Sequence, residues 1–354
     1  MTSKPTVVEL FAGAGGAALG LSAAGFEHLA CIEWDGDACE TLRAAGLPCV
    51  EGDVRDLGLY EPEWVGCGLL WSSFPCQCWS TAGKRLGPGD ERNGWPWTVD
   101  AIDRTKPEWF AAENVTGLLQ HKGECAGGCL GPEDCPRAYF DLVILSQLRE
   151  RFPVVQQFVL NASSFGVPQH RRRVVVIAGP ASVRRPEPTH GKPTHQADLF
   201  GRRMLPWATV GEALGISGYV RTEMTGAVAH SVGGPSGTVP NGGNQYLHAN
   251  DPGVRLDVGL LDHPAPTVTA TEVKGSRGVA HIAGRHSGLE RASDALFLAT
   301  GRRRLTIEEC AILQDFPEDH PFQGTKGSRY KQVGNAVPPK LAEVVGRAVL
   351  DAMS

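Results

Sequence analysis

A cysteine directly behind a proline is the first candidate for chemistry in this sequence. Residues 74–79 read Phe-Pro-Cys-Gln-Cys-Trp, and Cys76 follows a short apolar segment, 66–73, that is typical of a buried strand. Open α/β sheets bind their ligands at the carboxyl ends of the strands, so Cys76 is expected at such an edge. Because buried cysteines are more often small packing residues, this position alone leaves a structural and a chemical role open.

A glycine-rich turn is the second candidate. Residues 11–16 read Phe-Ala-Gly-Ala-Gly-Gly between a predicted strand and a predicted helix, and Glu33 follows Gly13 by twenty residues at the end of the second predicted strand. Glycines let a ligand approach the backbone closely, and a carboxylate at that strand end can accept hydrogen bonds from ribose hydroxyls. Asp53 adds an acceptor for an adenine amino group. The pattern favours a nucleoside ligand and leaves NAD, FAD, S-adenosylmethionine and a purely structural turn open.

Length and composition predict a soluble, cytoplasmic protein. The 354 residues are 42% hydrophobic, which is ordinary for a globular chain with a sizeable core. The sequence has no apolar run of about eighteen residues and no apolar signal-peptide core, so we expect no membrane association. The ten cysteines are scattered and mostly in apolar contexts, which indicates reduced thiols rather than a disulfide framework.

Charge is unevenly spread along the chain. Residues 27–63 contain ten acidic and two basic side chains, whereas residues 151–207 contain nine basic and two acidic side chains. One part of the protein can therefore hold a polyanion while another part binds something cationic. A solvated arginine-rich face is an equally good explanation of the basic segment.

Strands that alternate with helices predict a mainly parallel sheet. We predict strands at 6–10, 29–33, 49–50, 69–72 and 108–112, helices at 17–24, 37–45 and 136–151, and a closing antiparallel pair at 154–161 and 173–178. Further helices are predicted at 305–313, with Thr306 as a cap, and after Pro338. Residues 180–300 are rich in glycine, proline, threonine and histidine, so we expect a second, loop-rich domain there.

Several short motifs occur in order along the chain. They are the glycine-rich turn at 11–16, Pro75-Cys76-Gln77, Glu113-Asn114-Val115, the Gln-His-Arg-Arg-Arg sequence at 169–173, Arg-Leu-Thr-Ile-Glu-Glu at 304–309, Leu-Gln-Asp-Phe-Pro at 313–317 and Gly-Asn-Ala-Val-Pro-Pro at 334–339. In this order they resemble the motifs of the DNA (cytosine-5) methyltransferases, over nearly the whole chain outside 180–300. Several motifs in the same order over such a length indicate a family far more specifically than any one motif does.

The resemblance implies an α/β fold of the Rossmann-like, S-adenosylmethionine-dependent methyltransferase type. It has a mixed sheet with helices on both faces and a smaller, loop-rich, mostly β target-recognition domain. The implied divisions are 1–180 for catalysis and cofactor binding, 181–325 for target recognition and 326–354 as a C-terminal segment that returns to the catalytic domain. The implied reaction methylates C5 of a cytosine flipped out of a specific double-stranded DNA sequence.

The resemblance assigns catalytic functions to five residues. Cys76 would add to C6 of cytosine as a thiolate, which makes C5 nucleophilic, and Glu113 would act as the general acid at N3. Asn114 would hold the end of its strand. Arg173 would lie near the base and Glu113, and Arg171 would lie near the nucleophile and the phosphate of the flipped nucleotide.

Cofactor contacts are implied on several strand ends. Phe11 would stack on adenine, Glu33 would bind the ribose, Asp53 with Val54 would complete the adenine pocket, and Asn335 would return to the methionine end. The full implied set is Phe11, Ala12, Gly13, Gly15, Gly16, Glu33, Trp34, Asp53, Val54, Pro75 and Asn335. The implied cofactor is S-adenosylmethionine, and the implied reaction needs no metal.

Double-stranded DNA is the implied macromolecular partner. Residues 78–97 contain Lys84, Arg85 and Arg92 and are interrupted by glycines, as expected of a lid that closes over nucleic acid. The candidate DNA-binding residues are Gln77, Ser80, Lys84, Arg85, Arg184, Arg185, Arg202 and Arg203. We expect a monomer, and the usual setting of so compact an enzyme implies a cognate restriction endonuclease acting on the same site.

A histidine and three cysteines follow Glu113 in a glycine-rich insertion. His121, Cys125, Cys129 and Cys135 are residue types that form tetrahedral zinc sites. Their spacing differs from the paired Cys-x2-Cys pattern of zinc knuckles, so reduced, unliganded cysteines remain an alternative.

Two other functions remain open. A tRNA cytosine-5 methyltransferase shares the catalytic motifs, but it would normally have a much smaller second domain than the one that residues 180–300 can form. An NAD-dependent oxidoreductase would use the same glycine turn and Glu33, but it leaves Pro75-Cys76-Gln77 and the paired arginines unexplained.

Overall fold

The computed structural model describes residues 4–75, 90–121, 131, 135–191, 204–214, 219–223, 244–248, 265–266 and 302–354. The strands are β1 (Thr6–Leu10), β2 (Glu27–Glu33), β3 (Cys49–Glu51), β4 (Leu69–Ser72), β5 (Trp109–Val115), β6 (Val154–Asn161), β7 (Gln169–His170), β8 (Arg172–Gly179), β9 (His190–Gly191), β10 (Leu205–Pro206), β11 (Tyr219–Glu223), β12 (Asn244–His248), β13 (Ala265–Pro266) and β14 (Arg302–Arg304).

The helices are α1 (Gly16–Ala24), α2 (Gly36–Ala44), α3 (Trp95–Thr105), α4 (Pro136–Tyr139), α5 (Leu145–Arg149), α6 (Val210–Leu214), α7 (Ile307–Leu313), α8 (Lys326–Asn335) and α9 (Pro339–Met353). A π-helical segment, Phe140–Ile144, joins α4 to α5, and a 3₁₀ helix, Thr116–Leu119, follows β5. Within the described part of the chain, no helix combines the length and the apolar composition needed to cross a bilayer.

The central sheet has seven strands in the order β3-β2-β1-β4-β5-β8-β6. Strands β1 to β5 pair in parallel, whereas β8 pairs antiparallel with both β5 and β6. The strand order changes direction between β1 and β4, so the carboxyl ends of these two strands open at a topological switch point. The predicted mixed sheet is confirmed, and the predicted antiparallel pair, β8 and β6, closes it at one edge.

Helices cover both faces of this sheet. Val8 of β1 packs with Trp95 of α3 in one apolar cluster, whereas Val7 packs with Leu21 of α1 and Val345 of α9 in another. Neighbouring residues of one strand thus point into different cores, which explains why the central strands are apolar at almost every position.

The C-terminal helix α9 packs directly on α1. A Cβ added to Gly20 would overlap the carbonyl oxygen of Pro339, so the close approach of the two helices requires glycine at this position. Ala342 and Val345 of α9 are buried in the same cluster as Leu21 of α1. This contact brings the last helix beside the turn that follows β1.

Residues 305–336 form a small helical cluster in which Leu305 and Val333 are buried together with Val210 of α6. Thr306 caps α7, since its Oγ accepts a hydrogen bond from the Glu309 amide at 3.2 Å while the Glu309 carboxylate accepts from the Thr306 amide at 2.8 Å. Helix α7 precedes residue 326, where we predict the C-terminal segment to begin, and α8 begins there. The cluster therefore extends across this predicted boundary.

The described elements between residues 181 and 304 are short. They form the pairs β9–β10 and β7–β13 and the three-stranded sheet β11-β12-β14, together with helix α6. These pieces agree with the expected smaller, mostly β part of the fold.

One prediction is wrong at the end of the expected lid. Residues 95–97 form the first turn of α3, and Trp95 lies buried with its ring edge-on to Phe74 and Phe110. Pro96 is compatible with this turn because an amide at the start of a helix has no partner within the helix. The remaining part of the expected lid, 78–89, lies outside the described residues.

Candidate active site

The glycine-rich turn after β1 leaves one side of the backbone open. Gly13 has a φ of +55°, and a Cβ built there would meet no atom within 4 Å. A Cβ at Gly15 would instead lie 2.6 Å from Leu47, and one at Gly16 would overlap the carbonyl oxygen of Val337. Gly13 therefore faces a space that a ligand can enter, whereas Gly15 and Gly16 are required for packing. Ala12, which precedes Gly13, is buried.

Glu33 fixes the shape of this turn. Its carboxylate accepts hydrogen bonds from the amide of Gly13 at 2.7 Å and from the amides of Trp34 and Asp35 at 2.9 Å. The side chain of Trp34 is 71% exposed, which is unusual for so large an apolar group. A carboxylate at the end of β2 and a free indole beside it can bind a ribose and a planar base.

Asp53 has a partner of its own. Its carboxylate forms an ion pair with Arg55, whose Nε lies 2.8 Å from Oδ2, and accepts a hydrogen bond from the Arg55 amide at 2.9 Å. These hydrogen bonds lower the pKa of Asp53. Val54 is buried next to it, and its carbonyl accepts a hydrogen bond from the hydroxyl of Tyr60 at 3.0 Å. Any contact of Asp53 with an adenine would share the carboxylate with Arg55.

Glu113 and Arg173 meet at the carboxyl end of β5. The antiparallel register places Val115 opposite Arg173, and Arg173 Nε lies 2.7 Å from Oε1 of Glu113. Glu113 is only 7% exposed, and this burial raises the pKa of its carboxyl group against the opposing effects of Arg173 and Arg171.

Asn114 ties the end of β5 to the segment before Cys76. Its Nδ2 donates to the carbonyl of Phe74 at 3.0 Å, and its Oδ1 accepts from the amide of Val115 at 2.8 Å. A Cβ at Gly94 would lie 2.7 Å from Pro75 and 3.0 Å from the ring of Phe11, so both rings lie beside Gly94. The residue before the candidate nucleophile thus lies near the glycine-rich turn.

Arg171 has different contacts from those expected. It is 2% exposed, and its Nη2 donates to the carbonyl oxygens of Gly334 at 3.0 Å and Ala336 at 2.9 Å. These carbonyls flank Asn335, whose side chain is exposed. The expected contact of Arg171 with a nucleotide phosphate has no counterpart among these bonds. Arg172, the next residue, points away from this site into solvent.

Two buried glutamines, which the sequence analysis passed over, extend this network. Gln314 donates to the carbonyl of Ala336 at 2.7 Å, and Gln169 donates to Oε1 of Gln314 at 2.7 Å and to the carbonyl of Leu313 at 3.1 Å. Both residues occur in the quoted motifs. Their polar type inside otherwise apolar segments is the signal that could have identified them.

His320 supports the glycine-rich turn from the other side. Its Nε2 lies 2.9 Å from the carbonyl oxygen of Ala14, and its ring contacts Phe316 and Phe322. Burial lowers the pKa of the imidazole. A neutral ring with its proton on Nε2 satisfies the carbonyl without placing a charge beside the turn.

The described residues include only part of the predicted DNA-binding set. Arg184 and Arg185 are exposed on the segment after β8. Cys76 lies outside the described ranges. So do the predicted site residues Gln77, Ser80, Lys84, Arg85, Cys125, Cys129, Arg202 and Arg203.

A mixed sheet with an open glycine turn at its switch point, and a buried acid and arginine at the neighbouring strand end, defines a Rossmann-like methyltransferase. A model of the C-5 cytosine-specific DNA methylase family matches residues 5–203 and 236–351. The chain belongs to this family, and it is a DNA (cytosine-5) methyltransferase. The alternative interpretation as an NAD-dependent oxidoreductase is therefore wrong.

Relatives match over almost the whole chain. The Type II methyltransferase M.NgoMIV of Neisseria gonorrhoeae is 32% identical over 356 residues, which cover 98% of each protein. The Type II methyltransferase M.NaeI of Lentzea aerocolonigenes is 30% identical over 364 residues, covering 98% of this chain and 75% of the relative.

Solved structures share the fold at low identity. The S. pombe Dnmt2 methyltransferase aligns over 99% of this chain and 100% of its own, with a TM-score of 0.58 and 15% identity. The Entamoeba histolytica methyltransferase EhMeth aligns over 100% of both chains, with a TM-score of 0.59 and 12% identity.

Proposed function

We propose that the protein transfers the methyl group of S-adenosylmethionine to C5 of a cytosine in a specific double-stranded DNA sequence, through a covalent adduct between Cys76 and C6 of the flipped-out base. The buried pair of Glu113 and Arg173 is the observation that carries this proposal. A buried carboxyl group of raised pKa, held by Arg173 at the end of β5, suits the N3 and amino edge of cytosine.

Each residue has a defined task in this reaction. S-adenosylmethionine, when bound, supplies the electrophilic methyl group. The Cys76 thiolate forms a bond to C6 as the C5–C6 double bond opens, and Glu113 donates its proton to N3, so that C5 becomes nucleophilic. After C5 has taken the methyl group, a water molecule or hydroxide accepts the C5 proton, the Cys76 thiolate leaves C6, and the N3 proton returns to Glu113, which restores both the ring and the acid.

The supporting residues keep these two groups in place. Arg173 holds the Glu113 carboxyl at 2.7 Å, and Asn114 binds the carbonyl of Phe74, two residues before Cys76. The end of β5, which carries the acid, is thereby tied to the segment that follows β4. This connection supports the proposal that acid and nucleophile act on one base.

The residues of the glycine-rich turn fit S-adenosylmethionine. The open side of Gly13 leaves room for the methionine moiety, the Glu33 carboxylate can accept from ribose hydroxyls, and the exposed indole of Trp34 offers a surface for adenine. Phe11 and Pro75 both lie beside Gly94 at the same edge.

The setting we propose is restriction and modification. Both relatives named above are Type II methyltransferases. We propose that this chain protects a recognition sequence that a cognate endonuclease cleaves, and we keep the expectation from the sequence that it acts as a monomer in the cytoplasm. Extruding the target base costs a few kcal/mol, which contacts with DNA must offset, and Arg184 and Arg185 are exposed candidates for phosphate contacts.

Labelled S-adenosylmethionine tests the substrate. The purified protein is incubated with the labelled donor and either duplex DNA or tRNA, and the modified base is identified by digestion. We expect label in 5-methylcytosine of the duplex. Label in tRNA alone would overturn the choice of DNA.

A duplex with 5-fluorocytosine at the target position tests the covalent step. Fluorine at C5 cannot leave as a proton does, so the wild-type protein is expected to form an adduct stable to denaturing electrophoresis when the donor is present. Cys76→Ser should form none. Cys67→Ser, which changes a buried thiol elsewhere, serves as the control and should still be trapped. Equal trapping of Cys76→Ser would remove Cys76 from the mechanism.

A further inference from the structure

Three side chains of the types that bind metal ions lie together between β1 and β2. Glu9, His28 and Cys31 each bring one ligand atom to within 4.8 Å of the other two. The side chains of Glu9 and His28 are 1% and 3% exposed, and Cys31 is fully buried. None of the three has a task in the proposed methyl transfer, so the group requires another explanation.

A β-bulge brings these side chains to one face of the sheet. In the parallel ladder of β1 and β2, Val7 pairs with His28, and Glu9 pairs with Cys31. The two pairs are two residues apart in β1 but three residues apart in β2. In a regular strand, residues three apart point to opposite faces, so only the bulge places His28 and Cys31 on the same side. Bulges commonly redirect a side chain in this way.

The contact between Glu9 and His28 is too long for a hydrogen bond. Nε2 of His28 lies 3.6 Å from Oε2 of Glu9, and neither atom has a hydrogen-bond partner among the described residues. The two groups attract each other as an ion pair. With Zn–N and Zn–O distances near 2.1 Å, two ligand atoms of a tetrahedral zinc ion are about 3.4 Å apart. The observed separation is therefore close to that of two ligands of one ion.

Ser22 of α1 orients the imidazole of His28. The Ser22 hydroxyl oxygen lies 3.2 Å from Nδ1 of His28. When Nδ1 donates its proton to this oxygen, Nε2 has a free lone pair on the side of Glu9. Histidines that bind metal ions commonly have their other ring nitrogen held by such a hydrogen bond.

The surroundings of the group are apolar. Val7, which faces the same side of β1 as Glu9, packs with Leu21 of α1 and Val345 of α9. Apolar side chains in place of a buried ion pair are often neutral or stabilising, so the pair alone contributes little to folding. A cation between the carboxylate, the imidazole and the sulfur would satisfy all three groups at once.

We propose that Glu9, His28 and Cys31 bind one structural zinc ion. Zinc takes carboxylate oxygen, imidazole nitrogen and thiolate sulfur as ligands, and its binding releases the thiol proton of Cys31 to solvent. The second carboxylate oxygen of Glu9 or a water molecule can complete four-fold coordination.

The zinc ion would join the two strands that carry the candidate cofactor site. Glu9 lies two residues before Phe11, where the glycine-rich turn begins, and Cys31 lies two residues before Glu33. The Glu33 carboxylate in turn accepts the hydrogen bond from the amide of Gly13. A metal cross-link would therefore fix the spacing of β1 and β2 next to the turn.

The zinc group expected at residues 121–135 stays a prediction. Nδ1 of His121 lies 3.8 Å from Sγ of Cys135, but Cys125 and Cys129 lie outside the described residues. Two described ligands do not define a metal site. Zinc bound there must nevertheless be distinguished from zinc that depends on Cys31.

Elemental analysis of the untagged, full-length protein makes this distinction. Wild type and Cys31→Ala are reconstituted with zinc and dialysed, and we expect the wild type to hold about one more zinc ion per chain. This difference does not depend on any zinc bound at 121–135. Cys67→Ala, which removes a thiol that is only 2% exposed, is the matched control and should keep the wild-type zinc content.

A surface variant covers the case in which loss of a buried ligand disturbs folding. Ser22 is exposed, so Ser22→Ala should leave the core intact. Loss of the contact to His28 should nevertheless weaken zinc binding by about 10–100-fold, which competition with a chromogenic chelator measures. Equal zinc affinity of Ser22→Ala and wild type would contradict the proposed orientation of the histidine and the site with it.

Cobalt substitution adds a spectroscopic readout. Cobalt bound to a thiolate gives charge-transfer absorption, which we expect in the wild type and in Cys67→Ala and expect to lose in Cys31→Ala. Equal zinc content in wild type and Cys31→Ala would overturn the proposal and leave a buried ion pair without a metal. None of these measurements depends on methyl transfer, so they remain decisive even if the proposed function fails.

Discussion

The carboxyl group of Glu113 is subject to two opposing influences. Burial raises its pKa, whereas the positive charges of Arg173 and Arg171 lower it, and burial is the larger effect. Because the folded pKa lies above the reference value of 4.5, Glu113 contributes most to stability at low pH, and this contribution is lost as the pH rises through the folded pKa. The buried acid thus lowers folding stability at higher pH, but it keeps its proton up to a higher pH than an exposed glutamate does.

Replacing this acid should remove most of the activity. We expect Glu113→Gln to lower the single-turnover rate of methyl transfer by about 10²–10⁴-fold, the usual contribution of a general acid, with little change in cofactor affinity. In the wild type the rate should fall as the pH rises through the pKa of Glu113, because the proton is then lost, and this limb should be absent in the variant. Glu108→Gln, an exposed change at the other end of the same strand segment, is the control.

The contact between α1 and α9 depends on the absence of a side chain at one position. Gly20→Ala would place a methyl group against the carbonyl oxygen of Pro339 and within 2.7 Å of the Glu343 amide. We expect a loss of about 1–3 kcal/mol in the free energy of unfolding, which urea titration measures. Gly36→Ala at the start of α2 has open space around the new methyl group and should be neutral or stabilising. Equal effects of the two substitutions would contradict the proposed packing role of Gly20.

The carboxylate of Asp315, which follows α7, lies against the start of α9 and affects stability in a pH-dependent way. Burial raises the pKa of Asp315 from 3.8 to about 6, although its Oδ2 accepts a hydrogen bond from the Lys340 amide at 2.8 Å. Ionisation therefore destabilises the folded state as the pH rises from about 4 to 6 and beyond. Asparagine keeps the acceptor and tolerates the φ of +70° found at this residue.

Asp315→Asn should therefore stabilise the protein at neutral pH. The shift corresponds to about 3 kcal/mol, and the favourable interaction of a carboxylate with a helix N-terminus offsets part of it, so we expect a gain of about 1–2 kcal/mol at pH 7.5. The gain should vanish below about pH 4, where the carboxyl group is protonated in both states. Urea unfolding at the two pH values measures this, and Asp319→Asn, at an exposed site, is the control.

Sequence patterns predicted most of the elements because each depends on neighbouring residues. β4 and β6 have the predicted bounds, and α1 differs by one residue. Helix α3 was missed because Gly94 and Pro96 are typical of loops, although proline is equally suited to the first turn of a helix. The π-helical segment within the predicted helix 136–151 has no sequence signal of its own, since its register is set by packing around Glu113.

The whole molecule is joined by a polar network that spans distant parts of the chain. Gln169 of β7, Gln314 at the end of α7 and Arg171 all bind the backbone around Asn335, either directly or through one another. The same C-terminal segment contacts the glycine-rich turn, because Gly16 packs on Val337. The network thus determines where the predicted methionine end of the cofactor site lies.

Removing a hydrogen-bonding side chain from this network should affect both cofactor binding and folding stability. We expect Gln314→Leu to cost about 1–3 kcal/mol in unfolding free energy, because buried polar partners lose hydrogen bonds. The Kd for S-adenosylmethionine, measured by calorimetry, should rise while the single-turnover rate at saturating cofactor changes little. Gln314→Glu provides a second test, since a buried charge should be worse than leucine. An unchanged Kd in both variants would argue against a positioning role.

Site residues were predictable where the chemistry depends on residue type and less so where it depends on distant partners. The proximity of Glu113 and Arg173 follows from two strand ends that the sequence indicates. The carbonyl partners of Arg171 belong to residues 334 and 336, which no local pattern links to residue 171. Likewise, Arg55 forms an ion pair with Asp53 and would compete with an adenine for its carboxylate. The strand pattern does not reveal this contact.

The position of β8 also has a consequence for synthesis on the ribosome. Strand β6 joins the sheet only through β8, and β8 is made more than fifty residues after β5. Until it emerges, the nascent chain exposes the unpaired edge of β5, and an open edge of this kind recruits other chains. Truncated products that end before Arg172 should therefore aggregate, and a slow translation rate through this stretch would prolong the vulnerable period.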